Sequence, residues 1–395
     1  MDKQFEIMLR LFGAASTGKK TDIPDDINID AVVSYAHKQG VWQLVYTLLQ
    51  TMPEAKKYHI QFLMSVSEAL KRNEFTLGVI EKLQESGIDI CLLKGVFASS
   101  LYANSDCRIS GDTDVLINKK DEKKVIEILK SAGYSIAERN KNDHHIKCKH
   151  PIGGLMEVHL SLYSEITDMI IFGGKLVYDE AYIEFEYGNR KIKTLGINDN
   201  LKYLTAHYIK HLITGGSSIR QMMDLLLYIQ TYKDRINFDK YNELMKLLKY
   251  DKLVGAVKTI GAKYFGMDFA ESDYDSAEAL LADCEMAGLF GSNSMSKTDI
   301  YSQFCEERKE VSNFRLRLIF LFKNESSIFN RLFPNKEILI KRGYKYARHS
   351  ILTPVAWIHN ICGHSLRKKE FLENRIDEDV TQSRQNLMKK LGMLE

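Results

Sequence analysis

The sequence predicts an α+β fold, in which a mixed-sheet core sits between an N-terminal helical segment and a larger C-terminal helical region. Two observations carry this. Short apolar runs of strand length, punctuated by glycine and proline, are gathered in residues 86–197. On either side, in 1–85 and 198–395, apolar residues recur at three- and four-residue spacing, the period of a helix with one buried face. These three spans are the expected domains.

The elements follow in order. Residues 29–49 are helical in period and broken at Gly40, Pro53 marks a turn, and 58–84 form a second helical run. In the central span, 88–93 reads as a strand entering Lys94-Gly95, and 96–101 reads as a helix start. Residues 112–117 form a strand. Residues 120–131 form a helix that stops at Gly133. Residues 146–149 and 155–160 read as a hairpin around Pro151-Ile152-Gly153-Gly154, and 183–187 with 191–194 as another around Gly188-Asn189. Helices are then expected at 201–213, 219–232, 239–248, 253–264 and 276–287. A serine before Ile219 is placed to cap the second of these. Residues 292–299 read as a mobile loop.

Composition narrows the function classes. The chain has 395 residues, 45% hydrophobic and 27% charged, enough apolar material for a sizeable core. A net charge of +3 gives no strong nucleic-acid signal. The N-terminus lacks the apolar run of a signal peptide. The densest apolar stretch, 316–322, is interrupted by Arg317 and is far short of the ~20 residues that span a bilayer. Cys91, Cys107, Cys148, Cys284, Cys305 and Cys362 form no C-x-x-C pair, which argues against a zinc ribbon and for a reducing compartment. The expectation is a soluble cytoplasmic protein with no membrane partner.

The segment Arg108-Ile109-Ser110-Gly111-Asp112-Thr113-Asp114-Val115-Leu116-Ile117 carries the chemistry. Residues i and i+2 of a strand share a face, so Asp112 and Asp114 project two carboxylates together. Like charges that close repel, and a cation between them relieves this. Magnesium accepts carboxylate and phosphate oxygens together. In Leu155-Met156-Glu157-Val158-His159-Leu160, Glu157 shares a face with His159, and a neighbouring strand could bring it beside the Asp pair. Three carboxylates can hold two ions, one on a triphosphate and one on an acceptor hydroxyl. Upstream, Gly95 lets backbone approach a phosphate, Lys94 adds a point charge, and Arg108 could clamp a phosphate or pair with an acid.

The string L-L-K-G, Tyr102, R-x-S-G-D-x-D-V-L-I and M-E-V-H-L resembles a bacterial family of uncharacterised nucleotidyltransferases. That family belongs to the DNA polymerase β-like superfamily, with the aminoglycoside and lincosamide nucleotidyltransferases. The resemblance extends through Leu201-x-x-Leu204-x-x-His207-x-x-x-His211, Arg220-x-x-x-Asp224 and the tail Leu332-Phe333-Pro334. It implies a nucleotidyltransferase core fold and a glycine, here Gly95, that helps hold the triphosphate. It also implies metal binding by Asp112, Asp114 and Glu157, and it matches Arg108 to an arginine of antibiotic-modifying members. Where the superfamily has Gly-Gly or Gly-Ser, this chain has Lys94-Gly95, a departure at the phosphate contact.

The resulting expectation is a transferase using two Mg2+ (or Mn2+) ions. It would move a nucleoside monophosphate from a nucleoside triphosphate, ATP by preference, to an unidentified acceptor hydroxyl. Lys94, Gly95, Arg108, Ser110 and Gly111 are assigned to the nucleotide. His159, His207, His211, Arg220 and Asp224 are candidate cleft residues, each with a simpler reading. His159 could be a hydrogen-bonded core histidine. His207 and His211 could pack a helix, and Tyr208 stands where a zinc-protease motif needs glutamate. Arg220 and Asp224 at i and i+4 could form an intrahelical ion pair. His144, His145 and His150 receive no role, and the basic aromatic stretch 336–348 reads as a solvated helix face. Phosphoryl transfer in natural-product tailoring and non-catalytic nucleotide binding remain the alternatives.

Overall fold

The computed structural model describes residues 1–137, 144–288, 336–341, 344–349, 352–366 and 378–394. The N-terminal segment is helical, with α1 (Lys3–Thr17), α2 (Ile29–Lys38), α3 (Trp42–Leu49), a 3-10 turn at Pro53–Tyr58 and the long α4 (His59–Glu85). Asp2 starts α1 by accepting from the backbone N–H groups of Gln4 and Phe5 at 2.8 and 3.2 Å.

The central span contains β1 (Cys91–Leu92), α5 (Val96–Ser100), β2 (Asp112–Leu116), α6 (Glu122–Ser131), β3 (Ser135–Ile136), β4 (His145–His150), β5 (Gly154–His159), α7 (Glu165–Phe172), β6 (Ile183–Tyr187) and β7 (Arg190–Thr194). β1 to β5 form one sheet in the order β1-β2-β5-β4-β3, and β6 pairs with β7 separately. Within the sheet β2 and β5 run parallel, and the other pairs are antiparallel. β1 is shorter than the apolar run containing it, although the backbone N–H of Leu93 still donates to the Asp114 carbonyl at 2.9 Å. α7 and β3 are elements that the sequence pattern did not disclose.

Strand alternation gives the sheet two unlike faces. Val115, Ile146, Cys148, Met156 and Val158 are buried in the main hydrophobic cluster. The opposite parity carries Asp112, Asp114, Glu157, His159, His145 and Lys147.

The helices that follow are α8 (Ile197–Thr214), α9 (Ile219–Tyr232), α10 (Phe238–Leu247), α11 (Asp251–Phe265) and α12 (Tyr274–Ala287), then α13 (Lys336–Lys341), α14 (Thr353–Leu366) and α15 (Glu378–Lys390). Ser218 stands at the N-cap of α9, but its side chain makes no capping bond and its hydroxyl is buried without a partner. The neighbouring Ser217 hydroxyl is engaged by Tyr208 at 2.6 Å, so the expected serine cap does not form. In 336–348, expected as a solvated face, Leu339 is fully buried and forms a small second cluster with Ala356.

The main cluster is continuous from Phe5 in α1 through the sheet and α8–α12 to Leu387 and Met388 in α15. Two features draw the outlying helices in. The buried Arg384 of α15 reaches Asp283 of α12 at 3.4 Å. In α1, a Cβ at Gly13 would lie 2.4 Å from the Cα of Phe265 in α11. Backbone cannot yield as a flexible side chain can, so Gly13→Ala is expected to lower stability by about 1–3 kcal/mol. Urea unfolding of the full chain measures this, and an unchanged midpoint would show that the two helices separate freely.

Among the described residues no helix is long and apolar enough to cross a membrane. Cys91, Cys107, Cys148 and Cys284 are buried free thiols. The apolar stretch 316–322, the loop 292–299, Cys305 and Leu332-Phe333-Pro334 lie outside the described residues.

Candidate active site

Parallel pairing of β2 with β5 sets Asp114 opposite Glu157 and Leu116 opposite His159. On the other side of β5, the hairpin sets His145 opposite His159 and Lys147 opposite Glu157. One sheet face thus gathers carboxylates and imidazoles from three strands. His159 Nε2 lies 3.4 Å from Asp114 Oδ1 and 3.9 Å from Glu157 Oε2. Asp114, Glu157 and His159 each offer a ligand atom within 4.8 Å of the others, a spacing that can hold a metal ion.

Lys94 supplies the cation between the paired aspartates. Its Nζ is 2.9 Å from Asp114 Oδ2 and 3.7 Å from Asp112 Oδ2. It also meets Nε2 of His207 at 3.3 Å, which brings α8 over this face. Burial pulls the pKa of Lys94 down, while Asp112 opposes that shift. For Asp112, burial disfavours the charged carboxylate, but Lys94, Arg220 and Arg108 overcome it and hold the group below its usual range. Gly95 follows with φ 78°, in the left-handed region. A Cβ there would come no closer than 3.5 Å to a neighbour, so backbone conformation rather than space is what calls for glycine.

Arg108 faces inward and is buried against α9. Its Nε donates to Asp224 Oδ1 at 3.1 Å, its Nη2 donates to the second carboxylate oxygen, and its Nη1 donates to the Ser110 hydroxyl. Tyr102 adds an O–H bond to Asp224 at 2.7 Å. All three guanidinium nitrogens are therefore engaged, and Arg108 is only 5% exposed. Burial opposes its charge, yet Asp224 holds it firmly protonated. Arg108 thus pairs with an acid, one of the two roles its position allowed, and it bonds Ser110 as well. One expectation is corrected: Asp224 takes Arg108 as its partner instead of Arg220. The reason is that α9 lies against the loop before β2, where a bidentate guanidinium–carboxylate pair outcompetes a helical i,i+4 contact. Arg220 donates from Nη1 to the Ile109 carbonyl at 3.0 Å, while its Nε is buried without a partner. Burial, reinforced by the Arg108 charge, lowers its pKa to about 10.

The histidines that received no role include two members of this face. His145 Nδ1 lies 3.3 Å from His144 Nε2, and His145 Nε2 lies 3.8 Å from Glu157 Oε1. The sequence held a signal for His145: once His150 and Gly154 are paired across the turn, counting back along both strands pairs it with His159. His150 stays apart, stacked on Phe75 at 4.1 Å. His207 and His211 lie side by side on α8 with ring centroids 4.5 Å apart and planes tilted by 58°.

Burial, above all, lowers the pKa of His159 to about 4 and those of His144 and His211 to about 3. An unfolded imidazole titrates near ~6.5, so between that pH and the folded values the unfolded chain binds more protons. Stability from these neutral histidines is therefore complete above that range and is lost as pH falls through it. Urea unfolding free energy is expected to drop between about pH 7 and about pH 4, less steeply in His207→Gln, His211→Gln. Equal slopes in variant and wild type would assign the acid sensitivity to other groups.

A mixed sheet presenting paired aspartates beside a strand glutamate, with a lysine and glycine at the end of the adjoining strand, marks a nucleotidyltransferase core. Comparison with protein families gives the same class: the model described as an uncharacterised nucleotidyltransferase matches residues 25–266, and the chain belongs to that family. No curated protein matches. One similar solved structure is the lincosamide antibiotic adenylyltransferase LnuA with lincomycin bound. It is 17% identical over 39% of this chain and 94% of its own, with a TM-score of 0.31. Another is an antigenic nucleotidyltransferase-like protein from Paracoccidioides brasiliensis, 16% identical over 45% of this chain and 91% of its own, with a TM-score of 0.28. Neither identifies an acceptor for this chain.

Proposed function

We propose that the protein transfers a nucleoside monophosphate from a nucleoside triphosphate, ATP by preference, to an acceptor hydroxyl, with Asp112, Asp114 and Glu157 as its working carboxylates. The observation that carries this reading is the β2–β5 register, which sets Asp114 directly opposite Glu157 on the face that also carries Asp112. Divalent ions suit the donor set, because Asp114, Glu157 and His159 converge within 4.8 Å and a cationic group, the Lys94 ammonium, lies between Asp112 and Asp114. In this reading Asp112, Asp114 and Glu157 hold two ions, Mg2+ or Mn2+. When bound, they supply charge neutralisation at the phosphates and acidify the acceptor hydroxyl.

The remaining work falls to the chain. Lys94 and Arg220 offset phosphate charge, and Gly95 and Gly111 let backbone come close to the nucleotide. The acceptor oxygen forms a bond to the α-phosphorus, the bond from that phosphorus to the α,β-bridging oxygen breaks, and pyrophosphate leaves. Glu157 takes the acceptor proton. Arg108 and Asp224 position the loop that delivers Asp112. Residues 86–197 are the catalytic domain in this scheme. Residues 198–395, which bring His207, His211 and Arg220 to the face, govern the acceptor, and 1–85 buttress the core. A cytoplasmic setting accords with a triphosphate donor.

The test is thermal unfolding of the full chain with ATP, GTP, CTP or UTP, each with and without Mg2+. A metal-dependent rise names the donor. No rise with any nucleotide, in protein freed of copurified ligand, would overturn the reading.

A further inference from the structure

We infer that His144, His145 and His159 form a binding site for a transition-metal ion of the zinc class, adjoining the carboxylates Asp114 and Glu157 and independent of nucleotide. One ring nitrogen from each histidine lies within 4.8 Å of those of the other two. His144 Nε2 and His145 Nδ1 are 3.3 Å apart. That separation is the edge of a tetrahedron whose metal–nitrogen bonds are about 2.0–2.1 Å.

The surroundings fit a ligand set. His145 is fixed by strand pairing with His159, and the His144 carbonyl accepts from the backbone N–H of Leu160 at 2.8 Å, so both sides of the cluster rest on sheet backbone. His159 is 6% exposed and its Nδ1 is buried with no hydrogen-bond partner. An unpaired imidazole nitrogen costs free energy in a protein interior unless something binds it. With Nδ1 of His145 on the metal, its Nε2 points clear of the ion, 3.8 Å from Glu157 Oε1. Lys147 and Lys210 bring positive charge to the neighbourhood, and Glu157 offsets it. A nitrogen donor set favours zinc, cobalt or nickel over magnesium.

The experiment uses the full chain after chelator treatment. Co2+ is titrated while its visible d–d bands are followed, then Zn2+ is added, all with excess Mg2+ and no nucleotide. The expected result is one equivalent of tetrahedral Co2+ that Zn2+ displaces and Mg2+ does not. Affinity should fall by more than about 100-fold in His144→Ala, His145→Ala, and should persist in Asp112→Asn, Asp114→Asn. Loss in His207→Ala, His211→Ala with retention in the His144, His145 variant would overturn the inference, as would loss only in the aspartate variant. X-ray absorption of the Co2+-loaded wild type decides the matter even if a variant misfolds. Three imidazole ligands are expected, and two or fewer refute the site. Because no nucleotide is present, failure here leaves the transferase reading untouched, and failure of that reading leaves this one standing.

Discussion

Asp112→Asn, Asp114→Asn is expected to lose the magnesium-dependent stabilisation by nucleoside triphosphate and, once an acceptor is known, to lose transfer activity by at least about 10³-fold. The binding effect follows from mass action. Ligand at about a hundred times its dissociation constant raises stability by ~2.7 kcal/mol, a melting shift of several degrees. Removing both charges deprives the ions of two carboxylates, and Glu157 alone cannot replace them. The change also strips Lys94 of its counter-charges, and the Lys94 side chain is only 17% exposed. The variant should therefore melt lower than wild type without ligand, and each protein must be compared with its own unliganded baseline. Equal nucleotide responses in the two proteins would remove the aspartates from the site.

Asp224→Ala is expected to destabilise the chain by about 3–5 kcal/mol, because it leaves the Arg108 charge buried and unpaired. The Arg108 and Asp224 side chains are 4% and 8% exposed, so water cannot take over the lost bonds. Tyr102 loses its shorter hydrogen bond in the same step and keeps only the Arg220 carbonyl at 3.4 Å. Set against a total stability of roughly 5–15 kcal/mol, the loss is large enough to unfold a marginal domain. Replacing the pair together, as Arg108→Met, Asp224→Leu, should recover most of the stability, since buried apolar contacts substitute well for buried ion pairs. Urea unfolding of the two variants measures both effects. A double variant no more stable than Asp224→Ala would mean that the pair also determines the local fold. Nucleotide binding by a folded double variant then reports whether Arg108 only positions the loop.

Much of the architecture was legible locally. The apolar period placed α9 at Ile219–Tyr232, and the two turn-rich segments located β4–β5 and β6–β7. The helix start at 96–101 matches α5 and the strand at 88–93 contains β1, whereas the two-residue β3 went unread, since an element that short contains too little period to declare itself. Asp112 and Asp114 could be set on one face from spacing alone, because strand alternation is a property of the backbone.

Partner choice was another matter. Arg220 and Asp224 have the spacing of a helical pair, but the packing of α9 on the loop before β2 gives the carboxylate to Arg108. Lys94 was readable as a point charge near a phosphate, and only the pairing of β1 with β2 shows it lodged between Asp112 and Asp114. His144 and His145 carried no motif, yet pairing along β4–β5 brings them to His159. The sequence by itself determined the α+β class, the strand that carries the aspartates and the family resemblance, all of which depend on residues close along the chain. Tertiary structure alone decided which charges meet, because contacts between residues of different elements depend on how those elements pack, and burial then determines which of those charges must be paired.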